Sequence, residues 1–218
     1  MATDLVHPEA VHIAVLAKAP LPGLAKTRLI PALGARGAAR LQRRFTLQTL
    51  HTAQQAGLGE VTLWCAPDRG QRFFRALRRH CGIHCRNQPD ADLGQRMLQA
   101  LTAQELVQPC IVIGTDCPAL TPAHLQQAAH ALRSGQDAVF IAAEDGGYVL
   151  VGLRRTIPGL FEGIDWSTAR VMAQTRERLR QAGASWQETA LLWDVDVPAD
   201  LARLPELHAW RADRYHPY

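Results

Sequence analysis

Short, largely apolar runs alternate along this chain with longer segments whose apolar positions recur every three to four residues. Residues 12–17 (HIAVLA), 61–65 (VTLWC) and 110–114 (CIVIG) read as buried strands, and 83–87 as a short one. Helical spacing runs through 38–56, with Leu41, Phe45, Leu47 and Leu50 on its apolar side, and through 71–79, 93–106 and 167–181. Another helix opens at Thr121-Pro122, a hydroxyl cap followed by proline in the first turn. Residues 138–141 and 148–151 flank Asp145-Gly146-Gly147, which reads as a tight reversal and an antiparallel element. A last strand covers 189–197. Strands alternating with helices predict an α/β fold with a mostly parallel, mixed sheet. No repeat, linker or low-complexity segment divides the 218 residues, so a single domain over 1–218 is expected.

Composition then narrows the class. With 47% hydrophobic and 20% charged residues the chain is globular in makeup, which sets aside disorder and coiled-coil arrays. A net charge of +4 is too small to announce a nucleic-acid binder. Five cysteines are an odd count and a poor disulfide framework, fitting a reducing compartment. The first ten residues lack the basic start and apolar run of a secretory signal, and no stretch is long enough to span a bilayer. A cytoplasmic protein without a membrane span is therefore expected. Only two of the 24 basic residues are lysines, Lys18 and Lys26, and both lie in one short segment. That placement hints that a compact ammonium on a flexible stem is needed there.

Four segments could carry chemistry. Residues 17–29 follow the first strand, where open α/β sheets place ligands, and hold two lysines, Arg28, Thr27 and Gly23. Those groups could cradle phosphate oxygens, although the spacing is neither a Walker loop nor a dinucleotide fingerprint; the bland reading is a basic surface loop. Asp116, leaving the strand at 110–113, is placed to hold a divalent cation or to cap the turn before Pro118. Asp194 and Asp196 share one face of an extended segment, so a cation between them, or roles as edge residues or caps, are both open. Asp145-Gly146-Gly147 serves a hairpin turn and also permits close backbone approach to a ligand.

Weaker features point elsewhere. His80-Cys81-x-x-His84-Cys85 looks like a metal cluster, but strand alternation would scatter its side chains and it lacks a second pair. Arginines 69, 72, 75 and 78/79 form a stripe on one helix, read as a solvated face rather than an RNA contact. No Gly-x-Ser-x-Gly elbow is present, which leaves serine-hydrolase chemistry without a foothold. Residues 166–168 form a substrate-facing loop or the start of a helix capped by Ser167.

Taken in order, Lys18-Ala-Pro-x-Pro-Gly-x-x-Lys-Thr-Arg-Leu29, Leu93-Gly-Gln-Arg-Met97, Gly114-Thr-Asp-Cys-Pro-Ala-Leu120, Glu144-Asp-Gly-Gly-Tyr148 and Asp194-Val-Asp196 resemble a bacterial group of GT-A-type transferases. These are known as nucleotide-diphospho-sugar transferases, or as glycosyltransferases associated with radical-SAM genes. The resemblance implies a GT-A fold, a Rossmann-like α/β/α sandwich binding a nucleotide through Mg²⁺ or Mn²⁺. It implies phosphate and nucleotide contacts from Ala17, Lys18, Pro20, Gly23, Lys26, Thr27 and Arg28, with Gln88, Leu93 and Gly94 near the base. Asp116, Asp194 and Asp196 would hold the metal, with Lys26 and Asp116 catalytic. Asp145, Gly146, Gly147, Tyr148, Trp166, Ser167 and Thr168 would face the sugar or acceptor. Ile141-Ala142 stands where the family usually has Gly-Pro, and Cys117 follows Asp116, so a strict Asp-x-Asp signature is absent there.

The expected partners are a nucleotide or nucleotide-sugar donor and a small-molecule acceptor. Nucleotidyl transfer is favoured slightly over glycosyl transfer, because a triphosphate needs more cations than a diphosphate. A non-catalytic nucleotide-binding module is the third possibility.

Overall fold

The computed structural model describes residues 10–103 and 108–204. Seven strands form one sheet: β1 (His12–Lys18), β2 (Val61–Ala66), β3 (His84–Asn87), β4 (Cys110–Ile113), β5 (Ala138–Ala143), β6 (Tyr148–Leu153) and β7 (Trp186–Leu192). Their spatial order is β3-β2-β1-β4-β6-β5-β7, and only β6 runs against the rest. This is the mixed, mostly parallel α/β sandwich expected of the nucleotide-diphospho-sugar transferase fold.

The strands are apolar on both faces because both faces are covered. Ile13, Val15 and Ala17 of β1 point into a core shared with α1 (Ile30–Gln55), α2 (Arg72–Cys81) and α4 (Pro122–Arg133). Ala14 points to the opposite core, under α3 (Leu93–Thr102) and α5 (Val171–Gln181). Period-two alternation thus sorts one strand's side chains into two cores. No helix among the described residues is long and apolar enough to cross a membrane.

Local chemistry explains where the elements differ from their predicted bounds. α1 begins at Ile30 rather than 38, with Pro31 in its first turn and a bend at Gly34, whose φ of 68° suits glycine. α5 begins at Val171, because Ser167 adopts a left-handed φ of 64° and does not cap it. α3 ends at Thr102, and the remainder of that predicted helix, 104–106, lies outside the described residues. Thr121 caps α4 as its sequence predicts, in a reciprocal arrangement with His124. β7 stops at Leu192, so Asp194 and Asp196 follow the strand rather than ending it.

The β5–β6 connection is a four-residue loop in which only Gly146 is left-handed, not a two-residue turn. A β-bulge sits at Ile141/Ala142, both of them buried.

Arginines of the C-terminal half are largely tied to carboxylates. Arg154 and Arg155 both grip Asp137, Arg176 pairs with Glu188, and Arg203 with Glu144. Asp137 also accepts bonds from Ser185, so these contacts hold its carboxyl well below the usual range.

Candidate functional site

β1 and β4 are neighbours at the point where the strand order turns, with β2 and β3 on one side and β6, β5 and β7 on the other. A crevice opens outside the carboxyl ends of strands at such a switch. Val15 of β1 is in register with Ile113 of β4, so Lys18 and Asp116, three residues beyond each, emerge level with one another.

The turn carrying Asp116 is fixed from two sides. Gln42 of α1 donates to the buried Thr115 hydroxyl at 2.9 Å, and Gln48 reaches Pro118 O. On the far side, the segment after β7 crosses the sheet's end, and Val195 N donates to Asp116 O at 2.9 Å. Val195 is fully buried while Asp194 and Asp196 stay accessible, so the alternation read from the sequence survives outside a strand.

Lys26 closes this arrangement. Its side chain is only 4% exposed, and Nζ lies 2.8 Å from Asp116 Oδ1 and donates to Val195 O at 2.8 Å, above the Phe45 ring. The residue has φ 45° and ψ 51°, a left-handed backbone that costs a non-glycine residue about 1–3 kcal/mol. The buried ammonium's bonds hold it there. Arg28 pairs with Asp196. Two of the loop's three cations therefore already face carboxylates, whereas Lys18 is exposed and has no carboxylate partner among the described residues.

Beside this loop lies a cleft of about 540 Å³, lined by Lys18, Leu21, Leu24, Pro67, Gln88 and Arg96 among others. Gln88 spends its amide N–H groups on Ala17 O and Trp64 O, tying the ends of β1 and β2 together. Arg96 belongs to the Leu93-Gly-Gln-Arg-Met97 segment, where nothing in the sequence singles it out. Its Nε is buried without a hydrogen-bond partner, a donor left over in the cleft wall. Pro20, Gly23 and Thr27 lie on the surrounding loop, half-buried or exposed.

Carboxylates gather at the other side of the switch. Asp194 is pushed up to about 6, first by burial and then by the like charges of Asp145 and Asp116. Asp145 accepts from Gly147 N at 2.9 Å, so the hairpin loop delivers a carboxylate to this cluster that the sequence had placed toward the acceptor. Among the described residues, no three ligand-type side chains are grouped closely enough to hold a metal by themselves. The donors present suit a cation that takes one or two carboxylates and completes its shell with phosphate and water oxygens, as magnesium does.

Other expected residues serve packing. Leu93 is exposed, and Gly94 lies under Trp166 and Phe161, where an added Cβ would sit 2.7 Å from Trp166 Cζ2. Gly146 has φ 90°, and a Cβ there would fall 2.2 Å from Ala169 O. The close backbone approach that glycine permits is thus to the chain's own 167–170 segment, with Met172 N donating to Gly146 O. Tyr148 packs edge-on against Phe140, and its hydroxyl is buried, which drives its pKa up. Thr168 Oγ1 donates to Asp165 O within its own loop. His84 is exposed while Cys85 is buried, scattering that cluster as strand alternation demands.

The fold is one shared with solved structures of nucleotide-handling transferases. Over residues 49–168 the chain matches, and belongs to, the family described as an uncharacterized protein conserved in bacteria (DUF2064). It is similar to a crystal structure from Desulfovibrio desulfuricans G20 provisionally assigned as a nucleotide-diphospho-sugar transferase. That likeness has 25% identity and a TM-score of 0.80, over 93% of this chain and 94% of that one. A nucleotidyl transferase from Methanothermobacter shares the fold at 17% identity and a TM-score of 0.62, covering 93% and 99% of the chains. So does Rv0371c from Mycobacterium tuberculosis in complex with manganese, at 19% identity and 0.54, covering 90% and 98%. No curated protein matches the sequence.

Proposed function

We propose that the protein is a divalent-metal-dependent nucleotidyltransferase. The observation that carries this reading is the pairing, at one end of the sheet, of a cleft bearing Lys18 and Arg96, cations without a carboxylate partner among the described residues, with the carboxylates of Asp116, Asp145 and Asp194. In this reading the nucleotide lies in the cleft, and Lys18 and Arg96 bind its phosphates. Asp116 and Asp194 would hold the cation, with Asp196 at its margin. A magnesium or manganese ion bound there would neutralise phosphate oxygens and make the α-phosphorus more electrophilic. An acceptor phosphate oxygen then attacks the α-phosphorus in line, the bond to the β-phosphate oxygen breaks, and pyrophosphate leaves with the electron pair.

Lys26 has a particular part. Its ammonium neutralises Asp116. With a cation held at Asp116, the Lys26 ammonium would be free to meet the leaving phosphates, and Arg28, which pairs with Asp196, would be free in the same way. Such positioning and charge neutralisation supply most of the rate in phosphoryl chemistry.

A second reading is glycosyl transfer, in which the same groups hold a diphosphate leaving group. The likeness to the Desulfovibrio protein favours it. Thermal-shift measurements with the four nucleoside triphosphates and common nucleotide sugars, each with EDTA, Mg²⁺ or Mn²⁺, separate the two. Stabilisation by one triphosphate with metal, followed by pyrophosphate release on turnover, supports nucleotidyl transfer. A response confined to a nucleotide sugar or its diphosphate moves the assignment to glycosyl transfer, and no response to any of them leaves a non-catalytic module.

A further inference from the structure

Charge is divided unevenly along this chain. Residues 1–109 carry 14 Lys and Arg against 7 Asp and Glu, whereas residues 110–218 carry 10 against 13. The excess of positive charge is concentrated on two neighbouring helices. α1 and α2 each carry four arginines and not one aspartate or glutamate. They share one core cluster and touch where the Arg43 guanidinium lies over the Phe73 ring.

Seven of these arginines are exposed: Arg44, and also Arg36, Arg40, Arg72, Arg75, Arg78 and Arg79. None of the last six forms an ion pair with a described carboxylate, in contrast to the paired arginines of the C-terminal half. Holding so many unneutralised guanidinium groups together costs self-repulsion, and an anionic partner relieves it.

From this we infer that the α1/α2 face is a docking surface for an anionic lipid bilayer. The six arginines are spread over two helices that share one core, and an extended array of lipid phosphates can meet charges spread in this way. A single-stranded nucleic acid would instead call for a groove and aromatic platforms. The rings here are unavailable for stacking, since Phe45 and Phe74 are buried and Phe73 lies under Arg43. Both helices start at the end of the sheet that carries the cleft, so a bilayer on this face lies beside the cleft mouth. The inference does not depend on which transfer reaction the cleft performs.

The test is cosedimentation of the full chain at physiological ionic strength with phosphatidylcholine vesicles, with and without phosphatidylglycerol. Binding only to the phosphatidylglycerol vesicles is expected. Near an anionic leaflet each arginine changes partitioning about fivefold, so R40Q/R72Q/R75Q should bind about a hundredfold more weakly. R170Q/R178Q/R180Q removes the same net charge from another face and should bind like the unmodified protein; thermal melts establish that both variants fold. Absence of binding to the anionic vesicles overturns the inference, as does an equal loss in both variants, which would reduce the effect to net charge. Displacement from vesicles by an RNA oligonucleotide at matched phosphate concentration, but not by soluble glycerol phosphate, would also overturn it and assign the face to nucleic acid.

Discussion

The two halves of this molecule treat charge in opposite ways. In the N-terminal half, six exposed arginines of α1 and α2 have no carboxylate partner among the described residues, and the loop after β1 sends Lys26 and Arg28 across the switch point to find theirs. In the C-terminal half, arginines are neutralised locally, as at Asp137, while Asp116, Asp145 and Asp194 crowd together at the sheet's end. The site therefore sits on the seam between a cationic half and a half with surplus acid. Each needs something to complete it: an anion on one side and a cation on the other. In the proposed function a nucleotide phosphate chain carrying a divalent ion would supply both, which would place the chemistry on the seam rather than in either half.

Removing the acid that both halves share should have the largest effect. Asp116→Ala is expected to weaken metal-dependent nucleotide binding by about a hundredfold or more, read by equilibrium titration with and without EDTA. Binding equal to the unmodified protein with Mg²⁺ present would detach the seam from function. Lys26→Ala tests the other side of the same contact and should weaken nucleotide affinity by about tenfold; an unchanged dissociation constant would make Lys26 a purely structural ammonium.

Gly146→Ala breaks the hairpin that delivers Asp145. With a Cβ directed at Ala169 O and a left-handed φ, it should cost about 3 kcal/mol in urea unfolding. Asp137→Asn removes the local neutralisation typical of the C-terminal half and should cost about 2 kcal/mol at neutral pH. Because the folded carboxyl titrates below its ordinary value, this contribution is fully present above about pH 4 and is lost as pH falls through the folded value. Urea titrations of the unmodified protein and the variant should therefore converge in acid; a constant difference would mean the loss is packing, not charge.

The smallest expected effect sharpens the comparison most. Asp194→Asn relieves like-charge crowding, so the metal-free protein should melt about 2–4 °C higher while losing stabilisation by Mg²⁺. A lower melting temperature would show that Asp194 is held by favourable contacts instead of opposed by its neighbours.

Much of this was legible in the order of residues. Apolar runs of strand length, the Thr121-Pro122 start and the Asp-Gly-Gly reversal place most elements, because they depend on periods and dihedral preferences confined to a few neighbours. The first loop and Asp116 were likewise visible, since they follow strands directly. Sequence alone did not reveal that Lys26 would turn inward onto Asp116 and Val195 O, a contact spanning up to 169 positions. Nor did it reveal that Gly94 and Trp166 would pack on each other, or that the Arg96 Nε would be left without a partner in the cleft wall. Period and propensity act locally, so the chain's own pattern determined the layers and the strand ends from which chemistry could emerge. Which cation meets which carboxylate depends on how β1, β4 and the segment after β7 converge, and only tertiary packing decides that.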